Sequence, residues 1–268
     1  MTHPFYGVER RVTPCASVLL ADNPGPMTLD GTNTWILRDD AERGSAVVVD
    51  PGPDDAAHQA GILRAAGQLE LILLTHRHAD HSAGAAALAE ATGAAIRSVD
   101  PAFRTGPEGL SDGQVISAAG VMLRVLATPG HTADSVSVLL SRAGAEPHAV
   151  LTGDTVLGRG TTVIAEPDGD LGAYLDSLLR LADLSGIVVL PGHGPELPDC
   201  AEAARHYLAH RAERLDQVRA ALQQRGLAPD DSAVEAVVEI VYADVDRSLW
   251  PAARSSVKAQ LQYLRNQS

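Results

Sequence analysis

The stretch on which the reading turns is Leu69-Glu70-Leu71-Ile72-Leu73-Leu74-Thr75-His76-Arg77-His78-Ala79-Asp80-His81. A short apolar run ends in a polar loop that carries three histidines and an aspartate. A run of this length bounded by polar residues reads as a buried strand rather than a helix. Alternate residues of an extended stretch point to the same side, so His76 and His78 can grip one cation together. Asp80 and His81 follow as the chain turns into a helix, and they can serve a second cation. Imidazole and carboxylate suit zinc, manganese or iron. The plainer alternative is four polar residues in a surface loop, and a position directly after a buried strand argues against it.

The same pattern recurs along the chain. Val47–Val49 runs into Asp50-Pro51-Gly52, and Val121–Ala127 into Thr128-Pro129-Gly130-His131-Thr132. Ala149–Leu151 runs into Thr152-Gly153-Asp154-Thr155, and Ile187–Leu190 into Pro191-Gly192-His193-Gly194. His131, Asp154 and His193 each stand beside a glycine, which lets the backbone turn sharply and approach closely. Taken singly, each could be a capping aspartate or an ordinary loop histidine. Agreement among four segments is much harder to obtain by chance. If the strand ends gather on one edge of a sheet core, the loops meet in space, as chemistry-bearing loops on a rigid scaffold do. His76, His78, Asp80, His81, His131, Asp154 and His193 are therefore expected to form a two-metal centre that activates water. Two divalent cations about 3.5–4 Å apart share a water, lower its pKa and polarise the substrate oxygen. Asp80 is the expected catalytic group, both a ligand and a proton acceptor.

Helical patterns alternate with these strands at Asp54–Ala66, at Ser82–Ala91 before Gly93, and at Leu171–Ala182. Strands and helices together predict a layered α/β sandwich. The character changes near Pro198. Asp199–Gln224 carries Ala201, Ala204, Leu208, Ala212, Leu215, Val218 and Leu222 at helical spacing, with Gly226 as a stop. Further helices are expected from Ser232 to about Tyr242 and over Pro251–Leu264. The predicted division is a catalytic domain over 1–197 and a small all-α domain over 198–268.

The chain has 268 residues, 45 % hydrophobic and 21 % charged, an ordinary globular mixture. Cys15 and Cys200 stand far apart, which predicts a reducing compartment and no disulfide framework. The N-terminal residues lack the apolar core of a secretory signal, and runs such as Leu71–Leu74 are too short to span a bilayer. A cytoplasmic protein without a membrane partner is the expectation. The net charge of −13 is uneven: residues 1–204 hold 12 Arg and 26 Asp/Glu, giving −14, and residues 205–268 hold 9 Lys/Arg and 8 Asp/Glu, giving +1. The acidic body and an aromatic content of 3 % count against non-specific capture of nucleic acid. Arg254, Lys258 and Arg265 fall near one face of the last helix, either as a solvated face or as a strip that guides an anionic polymer. His3, His58, His148, His206 and His210 read as ordinary surface or packing residues.

The order His-x-His-x-Asp-His, Gly130-His131, Gly153-Asp154 and Gly192-His193 resembles the metallo-β-lactamase superfamily over roughly residues 15–197. The resemblance implies a four-layer αββα sandwich. It implies one metal held by His76, His78 and His131, another by Asp80, His81 and His193, and Asp154 between them. The run Asn23-Pro24-Gly25-Pro26-Met27-Thr28-Leu29-Asp30-Gly31-Thr32-Asn33-Thr34, with the helical tail, looks like the β-lactamase-like protein 2 group. That group carries a C-terminal winged-helix-like domain, and some members are endoribonucleases on single-stranded RNA. This chain departs from the group in having almost nothing after Pro251–Leu264 to form a wing.

The first functional reading is therefore a phosphodiesterase acting on single-stranded RNA. The second is a small-molecule thioester or ester hydrolase, as in hydroxyacylglutathione hydrolases, which share the seven ligands. A third, of another class, is a non-catalytic metal-binding module. Redox chemistry with iron is a fourth, weakened because no flavin-binding domain is evident. A true β-lactamase is disfavoured by Asp154 and by the missing export signal. The expected cofactors are two divalent ions, zinc first, with manganese or iron as alternatives. Substrate contacts are expected from Asn33 and Arg159, with Thr161 and Thr162 nearby. Asn23–Asn33 reads either as a turn-rich hairpin or as a loop closing over the centre. Oligomeric state is left open.

Overall fold

Strands that are apolar at every position must be covered on both faces, and this requirement builds the molecule. The computed structural model describes residues 3–39, 44–165 and 167–267. The first sheet consists of β1 (Arg10–Thr13), β2 (Ala16–Leu20), β3 (Asn33–Leu37), β4 (Ala46–Val49), β5 (Leu69–Leu73) and β6 (Ala95–Arg97), side by side in chain order. The second consists of β7 (Val115–Ala118), β8 (Val121–Ala127), β9 (Val136–Arg142), β10 (Ala149–Gly153) and β11 (Val188–Pro191), in the order β11-β10-β9-β8-β7.

Side chains alternate between two destinations. Val47, Val49, Leu71 and Leu73 of the first sheet meet Leu123, Val125, Val138, Leu140 and Leu151 of the second in a core between the sheets. Val48 and Ile72 point the other way, onto helices α1 (Ala56–Ala66) and α3 (Ala85–Thr92) through Ile62, Ala66 and Leu88. Leu139, Val150 and Val189 leave the outer face of the second sheet and pack against α4 (Leu171–Leu181) and α5 (Cys200–Arg225). The result is the expected α/β/β/α layering.

The short helix α2 (Ala79–Ser82) precedes α3, so the single helix expected over Ser82–Ala91 is interrupted. The reason is local packing. Gly84 donates its N–H to the Gly52 carbonyl, and a Cβ there would lie 3.0 Å from the Pro53 carbonyl. The β4 loop therefore presses into the helix at that point.

Helix α5 starts behind the cap Asp199, whose side chain accepts from the Glu202 N–H, and stops at left-handed Gly226. It is followed by α6 (Val234–Val241) and α7 (Trp250–Asn266), and among the described residues no strand follows β11. One buried cluster runs from Val150 and Val189 through Tyr174, Ala204 and Leu215 to Val237, Val257 and Leu261. The C-terminal helices thus share a core with the second sheet. Cys15 and Cys200 are both buried free thiols. No helix is long and apolar enough to cross a membrane.

The topology also sets where the loops go. β4 and β5 are parallel; β8 and β10 both run antiparallel to β9, and β11 is parallel to β10. The loops after β4 and β5, and those after β8, β10 and β11, therefore leave their sheets at common edges.

Candidate metal centre

Those loops bring the seven expected residues together. The ligand atoms of His76, His78 and His131 lie within 4.8 Å of one another, as do those of Asp80, His81 and His193, and those of His76, His81 and Asp154. The His78 Nδ1 sits 3.1 Å from His76 Nε2 and 3.0 Å from His131 Nε2. The His81 and His193 Nε2 atoms are 3.2 Å apart, and His193 Nε2 is 3.1 Å from Asp80 Oδ2. Asp154 faces both groups: Oδ1 is 3.4 Å from His81, and Oδ2 is 3.5 Å from His193 and 3.6 Å from His131.

Glycines make this approach possible. A Cβ on Gly192 would lie 2.6 Å from Asp154 Oδ1 and 2.7 Å from His81 Cε1. At Gly130 (φ +134°) a Cβ would strike the Tyr174 Cα at 2.3 Å. The side chain of Gly is the only one that fits either position.

The outer ring nitrogens decide which imidazole lone pairs point inward. His131 Nδ1 is 2.9 Å from the Val163 carbonyl, and His193 Nδ1 is 3.0 Å from the Gly31 carbonyl. A carbonyl only accepts, so both Nδ1 atoms carry the proton and both Nε2 atoms carry a lone pair. His81 Nδ1 faces Asp50 Oδ2 at 2.9 Å, which places a proton on its outer nitrogen too and turns Nε2 inward. The Thr75 hydroxyl donates to Asp50 Oδ2 at 2.7 Å, which leaves its oxygen to accept from His76 Nδ1 at 3.0 Å. Four Nε2 atoms therefore converge with two carboxylates, and Asp154 Oδ1 is buried without a hydrogen-bond partner among the described residues. Lone pairs 3 Å apart repel unless a cation lies between them. The donor set fits divalent cations.

The titration behaviour agrees. Burial holds the His76 pKa well below its ordinary value, and neighbouring His81 adds to this. Burial likewise lowers His78. Burial opposes the charged forms of Asp154 and Asp80, but neighbouring imidazoles outweigh it, chiefly His81 and His193 for Asp154 and His193 for Asp80. Both carboxylates are held ionised. At His81 burial works against the imidazolium, yet Asp154 and Asp50 outweigh it and raise the pKa in the metal-free protein.

The other expected contacts fall differently. Asn33 is buried and donates its amide protons to the carbonyls of Pro191 and Gly194, 3.0 and 2.8 Å away. It braces the His193 loop, and a substrate contact would fall to its side-chain oxygen alone. Arg159 is exposed and ion-paired with Asp30, linking the Asn23–Asn33 loop to the segment after Asp154. Thr162 is buried behind His131, with its hydroxyl 3.1 Å from Nδ1, so it faces the ligand and not the solvent. Asn23–Asn33 is a cross-braced turn: Asn23 bonds to Thr32 through both side-chain atoms, and Thr28 Oγ1 donates to the Asn23 carbonyl. Through Gly31 it is attached to His193. Sequence reasoning assigned no role to Asp50, although its loop follows β4 in the recurring pattern. Asp50 adopts φ +52° and takes bonds from the Thr75 N–H, the Thr75 hydroxyl and His81.

Fold and site together define a metal-dependent hydrolase. The chain belongs to the metallo-beta-lactamase superfamily, whose family model matches residues 27–193. A second model, the beta-lactamase associated winged helix domain, matches residues 233–267. The chain is 32 % identical over 260 residues to a Caenorhabditis elegans protein named beta-lactamase-like protein 2 homolog, covering 92 % of this chain and 82 % of that one. It is 32 % identical over 253 residues to an Aspergillus fumigatus protein named atrochrysone carboxyl ACP thioesterase, covering 87 % of this chain and 76 % of the relative. Among solved structures, a beta-lactamase domain protein from Burkholderia ambifaria superposes with a TM-score of 0.81 at 23 % identity, over 100 % of this chain and 91 % of the other.

Proposed function

We propose that this metallohydrolase is dinuclear and acts on acyl thioesters or closely related small esters. His76, His78 and His131 would hold one cation, Asp80, His81 and His193 the other, and Asp154 would touch both. Zinc suits this mixture of imidazole and carboxylate, with manganese and iron as the other fits. The observation that carries the dinuclear reading is the convergence of inward-turned Nε2 atoms on two ionised carboxylates. Bound there, the cations supply Lewis acidity and lower the pKa of a coordinated water.

The chain's own groups do the rest. The Asp80 side chain is 31 % exposed while those of His81 and His193 are fully buried, so Asp80 stands on the open side of the centre. Its Oδ2 faces His193 at 3.1 Å, and its carboxylate would take a proton from the attacking water. Asp50, Val163, Gly31 and Thr75 accept the Nδ1 protons and so turn the Nε2 atoms inward.

Two observations favour a small acyl substrate. One is the likeness to the relative named as a thioesterase. The other is the state of the basic strip. Arg254 is paired through Nε and Nη2 with the two carboxylate oxygens of Glu235, and its Cζ lies 5.8 Å from the Trp250 ring centroid. Its charge is already answered. The second reading, single-stranded RNA, is supported by the likeness to beta-lactamase-like protein 2 homologues and by the winged-helix match. Both are tested by rates of the metal-loaded protein on an acyl-N-acetylcysteamine thioester, a glutathione thioester and a labelled single-stranded RNA. We expect turnover of a thioester and unchanged turnover after charge reversal at Arg254 and Lys258. Cleavage of RNA alone would reverse the order of the two readings. In that case the double variant should lower the salt slope of RNA binding by about one per lost phosphate contact.

A further inference from the structure

Arg211 lies on α5, far from the ligand loops in sequence, yet it is only 4 % exposed. Among the described residues no carboxylate pairs with it, and its Nε has no hydrogen-bond partner. Burying an unpaired guanidinium is costly, and a well-packed apolar side chain would fill such a space more cheaply. What the guanidinium does make is specific. Its Nη2 donates to the Thr162 carbonyl at 2.6 Å, and its Cζ lies 5.1 Å from the centre of the Tyr174 ring.

The contact bears on the metal centre through the segment 155–163, which leaves Asp154 and returns behind His131. The C-terminal side of the molecule grips this segment at each stage. Tyr174 Oη on α4 donates to the Thr155 carbonyl at 2.7 Å. Tyr207 Oη, four residues before Arg211 on the same face of α5, receives the Leu157 N–H at 2.9 Å and lies 3.2 Å from the Leu157 carbonyl. Arg211 then holds Thr162. The next carbonyl, that of Val163, takes the His131 Nδ1 proton, and the Thr162 hydroxyl stands beside it.

We propose that Arg211 is a positioning residue for the His131 side of the centre. It fixes the Thr162–Val163 backbone so that the Val163 carbonyl holds the Nδ1 proton and His131 presents its Nε2 lone pair inward. Helix α5 is then part of the metal centre and not only of a C-terminal appendage. The inference rests on the reading of this centre as a two-metal site, and the test separates the two.

The full-length protein is stripped of metal and titrated with Co(II), following the visible absorption and using chelator competition for affinity. Wild type is expected to take up two ions; failure to bind any would defeat the metal reading itself and this proposal with it. Arg211→Met, which keeps bulk and removes the charge and donors, should weaken one of the two sites roughly 10–100-fold and change the Co(II) spectrum of that site. The other site should be retained. Arg211→Lys should fall between the two. A folded Met variant with wild-type affinity at both sites and a wild-type spectrum overturns the proposal. If that variant does not fold, Tyr207→Phe removes an anchor of the same segment without disturbing a charge. It should weaken the same site, and wild-type binding in both Tyr207→Phe and Arg211→Lys overturns the proposal equally.

Discussion

The two halves of the centre orient their histidines by different means. On one side His131 gives its Nδ1 proton to the Val163 peptide carbonyl and His76 gives its own to the Thr75 hydroxyl, both neutral acceptors. On the other side His193 also uses a carbonyl, that of Gly31, but His81 faces the buried carboxylate of Asp50, and Asp80 adds a second carboxylate within the group itself. The all-histidine half therefore depends on accurate placement of neutral acceptors. The Asp80 half has Coulomb attraction as well, and in a buried setting that attraction is strong. The difference implies unequal cations: the Asp80, His81 and His193 half should load first and release last on chelation.

Removing the one carboxylate that serves both halves should have the largest effect. Asp154→Asn is expected to lower hydrolysis of any accepted substrate by at least ~10²-fold and to reduce bound metal below two ions, because a neutral amide links two cations poorly. Steady-state rates and metal analysis check it. Retention of more than about a tenth of the activity with full metal content would break the idea of a shared bridge.

Asp50→Asn should act mainly on the charged half. The substituted amide would present a donor where His81 Nδ1 and the Thr75 hydroxyl both donate. We expect a loss of roughly 10–100-fold in the affinity of the Asp80, His81 and His193 half. The other half should weaken less, because Asp50 reaches His76 only through Thr75. Sequential metal titration distinguishes the two, and equal losses at both sites would remove the distinction between the halves.

The third effect falls on stability instead of metal affinity and concerns the outermost prop of the charged half. Thr34 Oγ1 donates to the Asp50 carbonyl and accepts from His58 Nε2, each at 2.8 Å. Burial pushes the His58 pKa down to about 4. The folded protein therefore keeps His58 neutral while the unfolded chain protonates it near 6.5. Below pH 6.5 the unfolded state binds the extra proton, so stability falls with falling pH until about pH 4. The loss is about 1.4 kcal/mol per pH unit, or about 3 kcal/mol across the window. Denaturant unfolding of metal-free wild type and His58→Gln over that range should show a shallower pH slope in the variant. Parallel slopes would show that His58 is not held neutral.

The centre was legible where its logic is local. A strand of fixed alternation followed at once by His76, His78, Asp80 and His81 places ligands by geometry that a few residues determine. Glycines beside His131, Asp154 and His193 marked the close approaches, and Gly192 shows why, since Asp154 and His81 occupy the space a side chain would need. Asp50 followed the same strand-to-loop pattern but carried no neighbouring histidine or flanking glycine before it, so its role remained unread. Asn33 and Thr162 looked available for substrate because polarity alone does not tell inward from outward. Both are turned inward and spent on the His193 and His131 loops.

The sequence by itself determined the layered α/β architecture, the ligand types and the order in which they occur, because hydrophobic period and strand-end chemistry act over a few residues. Only the tertiary structure decided which nitrogen of each imidazole points inward. The acceptors that fix this are the carbonyls of Gly31 and Val163 and the carboxylate of Asp50, brought from 162, 32 and 31 residues away. It also decided that α5 reaches the centre, since Arg211 meets Thr162 across 49 residues of chain. Such contacts depend on how helix, sheet and loop stack, and a one-residue change in helix register would turn Arg211 elsewhere.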